Sequence, residues 1–119
     1  MREHHGKDLT WHAAHAPDAV AFPQSTEEVA TIVKLCAESG TPVSVCGEMA
    51  GRPLEAFALV GLGFEALSMP PSGIGPVKQM VLSCDREAAR RGVEGLLKSS
   101  SGSVRSEIET LARKLYVAV

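Results

Sequence analysis

Aromatic residues are scarce in this sequence of 119 residues, where Phe, Trp and Tyr together make up 4%. Because the apolar content is nevertheless 45%, a core must be built mainly from Val, Leu, Ala and Met. No apolar run approaches the ~20 residues that a membrane-spanning helix requires. The residues after Met1 also lack the apolar stretch of a signal peptide. We therefore expect a globular protein with no membrane association.

Basic clusters are absent as well, and the formal net charge is −2. Proteins that bind nucleic acids usually carry a concentrated positive patch, so we expect no nucleic-acid partner. The three cysteines, Cys36, Cys46 and Cys84, form an odd set without CxxC spacing. Free thiols in a reducing compartment are the simplest interpretation, which predicts a cytoplasmic location.

The chain has room for one domain or for part of a larger one. Residues 1–18 are polar and without a clear period, so they are predicted to form an irregular arm ahead of a single small domain at 19–119. Histidines in this arm raise the hypothesis of a zinc site. No cysteine or paired acid accompanies them in register, which favours an incidental polar arm instead. The histidines are His4, His5, His12 and His15.

A β-α-β unit is predicted for residues 19–45. Residues 19–22 form a short apolar run that Pro23 ends, and 41–45 form a second candidate strand. Between them, apolar residues recur at helical spacing, which predicts a helix over 25–39.

The start of this helix carries the spacing of a capping box. The Ser25 hydroxyl can accept the Glu28 amide while the Glu28 side chain reaches back, and Gly40 supplies the C-terminal stop. One face of the helix is apolar and is expected to pack in the core. That face consists of Val29, Ile32, Val33 and Cys36.

Strands and helices are predicted to alternate along the remainder of the chain. A third strand is expected within 64–69, and helical crossovers between successive strands imply parallel pairing. The predicted fold class is α/β, a partial (β/α) barrel-like unit with few short parallel strands and about five helices. Because such a fragment has open strand edges, association into a homo-oligomer is expected as one outcome. Helix starts are predicted at Pro53, Pro76, Asp85 and Ser103.

The most informative motif is Val-Ser-Val-Cys-Gly-Glu-Met-Ala-Gly at residues 43–51. A short strand delivers Cys46 onto a glycine-bounded loop, and a helix follows. Because α/β folds present reactive groups at the carboxyl ends of their strands, Cys46 is the candidate catalytic residue. The alternatives are a small buried residue, since free cysteines are often part of a core, and a loop thiol with no role. Glu48 has no acidic partner nearby in the motif, so a structural role is favoured over a metal-binding one.

This motif resembles the barrel of phosphoenolpyruvate-utilising enzymes, specifically the C-terminal part of phosphoenolpyruvate-protein phosphotransferases. The resemblance covers residues 41–98 and continues through Gly61-Leu62-Gly63-Phe64, Leu67-Ser68-Met69 and Gly75-Pro76-Val77-Lys78. It implies that Cys46 descends from a cysteine that exchanges a proton with the enolate carbon of pyruvate. Phosphoenolpyruvate or pyruvate is then the implied ligand, and Mg²⁺ the implied cofactor of the family. The family's phosphate-binding arginines, acidic Mg²⁺ ligands and phosphorylatable histidine are not assignable, so we expect a catalytically incomplete fragment.

Residues 1–40, most clearly 15–29, resemble instead the start of the FAD-binding domain of D-lactate dehydrogenases and glycolate oxidases. In that family a glycine-rich loop cradles the FAD pyrophosphate with backbone amides. Here the chain reaches Glu48 near the expected phosphate position, so no stoichiometric FAD binding is expected. The two resemblances meet within 35–43 and indicate a chimera. Two alternatives stay open: an FAD-binding 2-hydroxy acid oxidoreductase remnant, and a non-enzymatic interaction module.

Overall fold

The computed structural model of the protein describes Gly6, Trp11 and residues 13–99 and 102–119. Within them, the chain forms five helices and two short parallel strands. None of the helices in these residues combines the length and hydrophobicity that crossing a bilayer requires. The chain divides into two compact units between Thr41 and Pro42.

The first unit contains helix α1, Thr26–Glu38, which confirms the predicted helix. The Ser25 hydroxyl accepts the Glu28 amide at 3.2 Å. The Glu28 carboxylate accepts the amide of Gln24 at 2.6 Å, one residue further back than a capping box requires. Both bonds satisfy amides near the helix start, where no intrahelical partner exists. Gly40, with φ of +68°, follows the helix as the expected stop.

The predicted packing of α1 is wrong. No residue of the helix is buried, and Val29, Ile32 and Val33 are 46%, 37% and 38% exposed. The strand predicted at 19–22 is not formed in the described part of this unit, so no sheet there covers the apolar face. The β-α-β unit predicted at 19–45 therefore lacks its first strand.

The predicted arm contains the candidate zinc-binding histidines. Residues 13–18 form neither helix nor strand, and His15 is exposed. The other three, His4, His5 and His12, lie outside the described residues.

The second unit contains the sheet. Strands β1, Ser44–Cys46, and β2, Ala66–Ser68, pair in parallel. Helix α2, Pro53–Gly61, connects them, so a β-α-β unit is formed at 44–68. The helix begins at Pro53 as predicted, in the first turn, where proline's missing N–H has no intrahelical partner to lose. Short parallel strands joined by a helix are the repeating unit of a (β/α) barrel, and the chain forms part of one.

Three further helices complete the second unit. The first of them begins at Pro71 and not at Pro76, which lies inside the helix. Pro71 suits a first turn as well as Pro76 does, and it comes earlier in the chain. Asp85 caps the next helix as predicted, because its Oδ1 accepts the amides of Glu87 and Ala88 at 2.9 and 3.0 Å. The helices are α3, Pro71–Ser83, α4, Arg86–Ser99, and α5, Val104–Lys114.

The core of the second unit is small and mainly aliphatic, as the scarcity of aromatic residues predicts. Phe57 of α2 and Met80 of α3 are the largest fully buried side chains. Helices α4 and α5 contribute Ala89 and Ala112, and Val117 joins them from the segment after α5. Burying a side chain as large as Phe57 contributes about 2–3 kcal/mol, so a few such residues account for much of the unit's stability.

Two glycines allow the helices of this core to approach closely. A Cβ atom at Gly61 of α2 would lie 2.6 Å from Val93 Cγ2 of α4. A Cβ atom at Gly92 of α4 would lie 2.6 Å from both methyl carbons of Leu111 in α5. Because real Cβ atoms do not approach other atoms this closely, a side chain at either position would force a neighbour to shift. The shift is harder at Gly61, where the backbone carbonyl of Ala89 also lies 3.1 Å away, than at Gly92, where the contacts are with the end of the Leu111 side chain.

The C-terminal residues fold back over the unit. Tyr116 has φ of 57°, in the left-handed region that glycine usually occupies after a helix. The Val117 amide donates to the Ala112 carbonyl at 3.0 Å, which closes the end of α5. The Ala118 amide donates to the Ser83 hydroxyl at 2.9 Å, so the end of the chain is tied to α3.

Candidate active site

Cys46 and Ser68 lie at the carboxyl edge of the sheet, as the last residues of β1 and β2. They are register partners, so their side chains lie on the same face. This face is exposed, whereas Val45 and Leu67 on the opposite face are half-buried, and Leu67 packs against the core. A thiol and a hydroxyl are therefore open to solvent at the edge where α/β folds hold their active sites.

Backbone hydrogen bonds hold the loop after β1, residues 47–52. Gly47 has φ of +117°, which residues with a side chain rarely adopt. Its amide donates to the Ser68 carbonyl at 3.4 Å and extends the strand pairing. The amides of Ala50 and Gly51 donate to the carbonyls of Gly47 and Glu48 at 3.1 and 3.3 Å. Because these donors are already used within the protein, they are not available to cradle a phosphate group.

A pair of glycines brings this loop against the start of α3. A Cβ atom at Gly73 would lie 3.0 Å from the Cα and carbonyl oxygen of Gly51. A Cβ atom at Gly51 would lie 3.6 Å from Met69 Cβ and 3.7 Å from Pro70 Cδ. The segment that follows β2 is therefore in contact with the loop that follows β1. A side chain at position 73 would displace the loop.

The charged groups of the loop form one solvated ion pair. The carboxylate of Glu48, 83% exposed, lies 3.7 Å from the guanidinium of Arg52. Exposed pairs of this kind contribute up to ~1 kcal/mol, so this one affects the local charge more than the stability. Across the described residues, no group of three or more His, Cys, Asp and Glu side chains could hold a metal ion. Glu48 is the one acidic residue of the loop and is paired with Arg52, so the loop offers no free carboxylate for the Mg²⁺ that the family resemblance implies.

A groove of about 480 Å³ runs between β2 and α3 and begins at Ser68. Its lining is mostly apolar, and Lys78 is the one charged residue among those that line it. The groove thus combines apolar walls with one cation, close to the carboxyl edge of β2. The full lining is Leu67, Ser68, Met69, Ile74, Val77, Lys78 and Val81.

The three cysteines differ in their surroundings. Cys46 is exposed, while Cys36 and Cys84 are half-buried. Burial and the neighbouring Asp85 carboxylate raise the pKa of the Cys84 thiol above its usual value. Cys46 is therefore the cysteine best placed to meet a dissolved reactant.

The sequence predicts the position of Cys46 at a strand end, but it does not assign its neighbours. Ser68 joins the site through strand pairing, and Lys78 joins the groove because α3 packs along β2. Both residues belong to motifs that carry the family resemblance, and this was the signal that could have identified them.

The fold and the exposed cysteine at a strand end indicate a phosphoenolpyruvate-utilising type of domain. Residues 13–88 match the family model described as "PEP-utilising enzyme, PEP-binding domain". This match spans more than half of the chain, and the chain belongs to that family. The match begins at residue 13, so the likeness extends further toward the N-terminus than the predicted start at 41.

Similar curated proteins support the same assignment. The phosphoenolpyruvate-protein phosphotransferase of Cupriavidus necator is 35% identical over 86 residues, which cover 72% of this chain. The protein of the same name from Haloferax volcanii is 41% identical over 69 residues, or 58% of this chain. The aligned segments make up only 14% and 12% of those two proteins. The chain thus corresponds to a short part of its relatives.

A second kind of relative is also found. The probable mitochondrial D-lactate dehydrogenase of Danio rerio is 39% identical over 61 residues, which cover 51% of this chain and 12% of that protein. No solved structure matches the chain.

The loop after β1 does not suit the FAD that such a flavoprotein resemblance implies. A pyrophosphate is held by several backbone amides that point at it. Here the amides of Gly47, Ala50 and Gly51 bond to protein carbonyls, and the Glu48 carboxylate lies on the same loop. The loop therefore has no free backbone amides at Gly47, Ala50 and Gly51 with which to hold a flavin pyrophosphate.

Proposed function

We propose that this chain is part of a phosphoenolpyruvate-binding domain in which Cys46 exchanges a proton with the ligand. We further propose that the chain does not complete phosphoryl transfer with its own residues. The observation that carries the proposal is the exposed thiol at the carboxyl edge of the sheet, on the loop that matches the family.

In the proposed reaction, the enolate form of pyruvate lies at the carboxyl edge with its terminal carbon facing the Cys46 thiol. The S–H bond breaks as a C–H bond forms, which gives pyruvate and a thiolate, and the reverse transfer regenerates the enolate. Lys78 in the neighbouring groove supplies a positive charge that would attract the carboxylate or phosphate of the ligand.

Phosphoryl transfer depends on several positive groups that stabilise the charge of the transferred phosphate. The groove offers one lysine, Arg52 is paired with Glu48, and the loop amides are engaged. These observations support a role in binding and proton exchange rather than in the complete transfer.

The test is a titration of ¹⁵N-labelled protein with phosphoenolpyruvate and, separately, with pyruvate. We expect weak binding, on the order of millimolar, with amide shifts confined to the loop at 47–52, the end of β2 and the start of α3. Inorganic phosphate serves as the matched control ligand. Shifts that avoid these segments would contradict the proposed site.

The second arm measures pyruvate release from phosphoenolpyruvate in the presence of Mg²⁺. The wild-type chain and Cys46→Ser are expected to give the same background rate, because phosphoryl transfer lacks its charge-stabilising groups. A wild-type rate clearly above that of Cys46→Ser would show that the chain is catalytically complete and overturn that half of the proposal.

The exposed apolar face of α1 favours a second candidate, a non-enzymatic interaction module that self-associates. Light scattering after size exclusion would then show a mass that decreases toward the monomer on dilution. Ile32→Lys should shift this equilibrium toward the monomer, and Lys34→Ala, which changes an exposed charged side chain, should not. A concentration-independent monomer would remove this candidate.

We also propose a cytoplasmic location. The support is the presence of three free cysteines, since such thiols persist in a reducing compartment. Detection of the protein in an oxidising compartment, by fractionation, would contradict it.

A further inference from the structure

An ion pair links the helix that follows the Cys46 loop with the last helix of the chain. The Glu55 carboxylate in the first turn of α2 accepts a hydrogen bond from the guanidinium of Arg105 in the first turn of α5. The side chain of Glu55 is 14% exposed and that of Arg105 is 66% exposed. The carboxylate is thus the enclosed partner, and Arg105 reaches it from the solvent side.

The ion pair with Arg105 affects the pKa of the Glu55 carboxylate. Burial by itself would raise the pKa of Glu55. The hydrogen bond from Arg105, a backbone hydrogen bond and the charges of Arg105 and Arg52 together outweigh it and lower the pKa. Without Arg105, a largely enclosed negative charge would remain without its main partner. Movement of the first turn of α2 toward water would then lower the free energy, because it would hydrate this carboxylate.

The same helix also meets the loop itself. A cavity of about 190 Å³ is lined by Met49 of the loop, by Leu54 and Ala58 of α2, and by Val104 and Ile108 of α5. Glu55 and Arg105 complete this lining. The N-terminal part of α5 therefore borders both the loop and the helix that the loop enters.

The end of the loop is held by the burial of Ala50, by the contact of Gly51 with Gly73 and by long turn hydrogen bonds. The internal turn bonds of Ala50 and Gly51 are 3.1 and 3.3 Å long, and the Arg52 amide reaches the Met49 carbonyl only at 3.5 Å. A movement of the first turn of α2 would act directly on these bonds, because the helix begins at the next residue.

We propose that Arg105 is a positioning residue for the Cys46 loop, acting through Glu55 and the first turn of α2. This inference rests on the proposed role of the loop, since only then does its geometry bear on chemistry. Arg105 lies outside the segment 13–88 that matches the family. The proposed positioning of the loop therefore depends on the C-terminal helices of this chain.

The test is amide hydrogen exchange of the full chain, resolved by residue with NMR and without any ligand. In Arg105→Met, we expect the amides of Ala50 and Gly51 to exchange about two- to fivefold faster than in the wild type, because a partly exposed ion pair is lost. Amides of α3 and α4 should be unchanged. Arg113→Met is the matched control, because it removes an arginine paired with Glu109 within the same helix.

Each outcome decides the proposal. Faster exchange confined to the loop in Arg105→Met, absent in Arg113→Met and largely restored in Arg105→Lys, supports it. Unchanged loop exchange overturns it, and so does an equal acceleration throughout the unit, which would indicate general destabilisation only. Because no ligand is present, failure to bind phosphoenolpyruvate would contradict the proposed function without affecting this result.

Discussion

Replacement of Gly61 by Ala should destabilise the protein, although alanine is a better helix former than glycine. Gly61 lies in α2 where that helix crosses α4. An added Cβ would be 2.6 Å from Val93 Cγ2 and 3.1 Å from the carbonyl oxygen of Ala89. The valine is buried and β-branched, and the carbonyl belongs to the backbone of α4, so neither atom can move away at little cost.

The expected magnitude follows from two opposing effects. Alanine in place of glycine favours the helix by up to about 1 kcal/mol. Overpacking of a well-packed core costs about 1–3 kcal/mol. The free energy of unfolding of Gly61→Ala should therefore fall by about 0–3 kcal/mol relative to the wild type.

Gly95 provides the matched control. It lies in α4, and an added Cβ there would meet no atom within 4 Å. Gly95→Ala should therefore raise the free energy of unfolding by about 0.5–1 kcal/mol. The two alanine variants should differ by about 1–3 kcal/mol, which is large compared with the total stability of a small domain.

Urea unfolding followed by far-UV circular dichroism measures this difference. The midpoint of Gly61→Ala should lie below that of Gly95→Ala, with the wild type between them or level with Gly61→Ala, and the m-value should be the same in all three. If Gly61→Ala were stabilised as much as Gly95→Ala, the close approach of α2 and α4 would not exist in solution.

Three further predictions concern single residues. A thiol reagent applied briefly to the native protein should modify the exposed Cys46 well before Cys84, because burial and a neighbouring carboxylate raise the pKa of Cys84. Equal labelling rates of the two cysteines, measured by peptide mapping, would mean that the loop is not formed as described. The pKa of Glu55 lies below its usual 4.5, mainly because Arg105 donates a hydrogen bond to it, with a backbone hydrogen bond and the charge of Arg52 adding to the effect. The stability advantage of the wild type over Glu55→Gln should therefore be present at neutral pH and shrink as the pH falls below about 4.5; a pH-independent difference in urea midpoint would contradict this. Tyr116→Gly should raise the melting temperature, because glycine adopts the left-handed backbone of this position without strain and so raises the free energy of unfolding by about 0.5–1 kcal/mol. Tyr116→Ala should leave the melting temperature unchanged.

Local signals in the sequence predicted the helix boundaries of the fold better than its packing. The cap at Ser25, the proline at Pro53 and the cap at Asp85 act over a few residues, and all three helix starts are formed as predicted. Whether residues 19–22 become a strand depends instead on a neighbouring strand with free hydrogen-bonding groups. The sequence pattern alone cannot show that this neighbour is missing from the described residues of the first unit.

In the candidate site, too, the sequence predicts what local signals determine but not what tertiary packing determines. The position of Cys46 at a strand end depends on the local pattern of strand, glycine and proline, and it could be predicted. The contact of Gly51 with Gly73 and the placement of Lys78 beside Ser68 depend on how two strands and a helix pack together. Such contacts join residues that are distant in the sequence, and no local preference specifies them.

The core of the second unit is shared between the family segment and the residues beyond it. Phe57 and Met80 lie within 13–88, whereas Ala89, Ala112 and Val117 lie after it. A chain shortened at residue 88 would keep the whole matched sequence and lose the surface against which α2 packs. The segment that matches the family therefore ends earlier in the chain than the segment that forms the core. Any attempt to isolate the family segment has to follow the second of these boundaries.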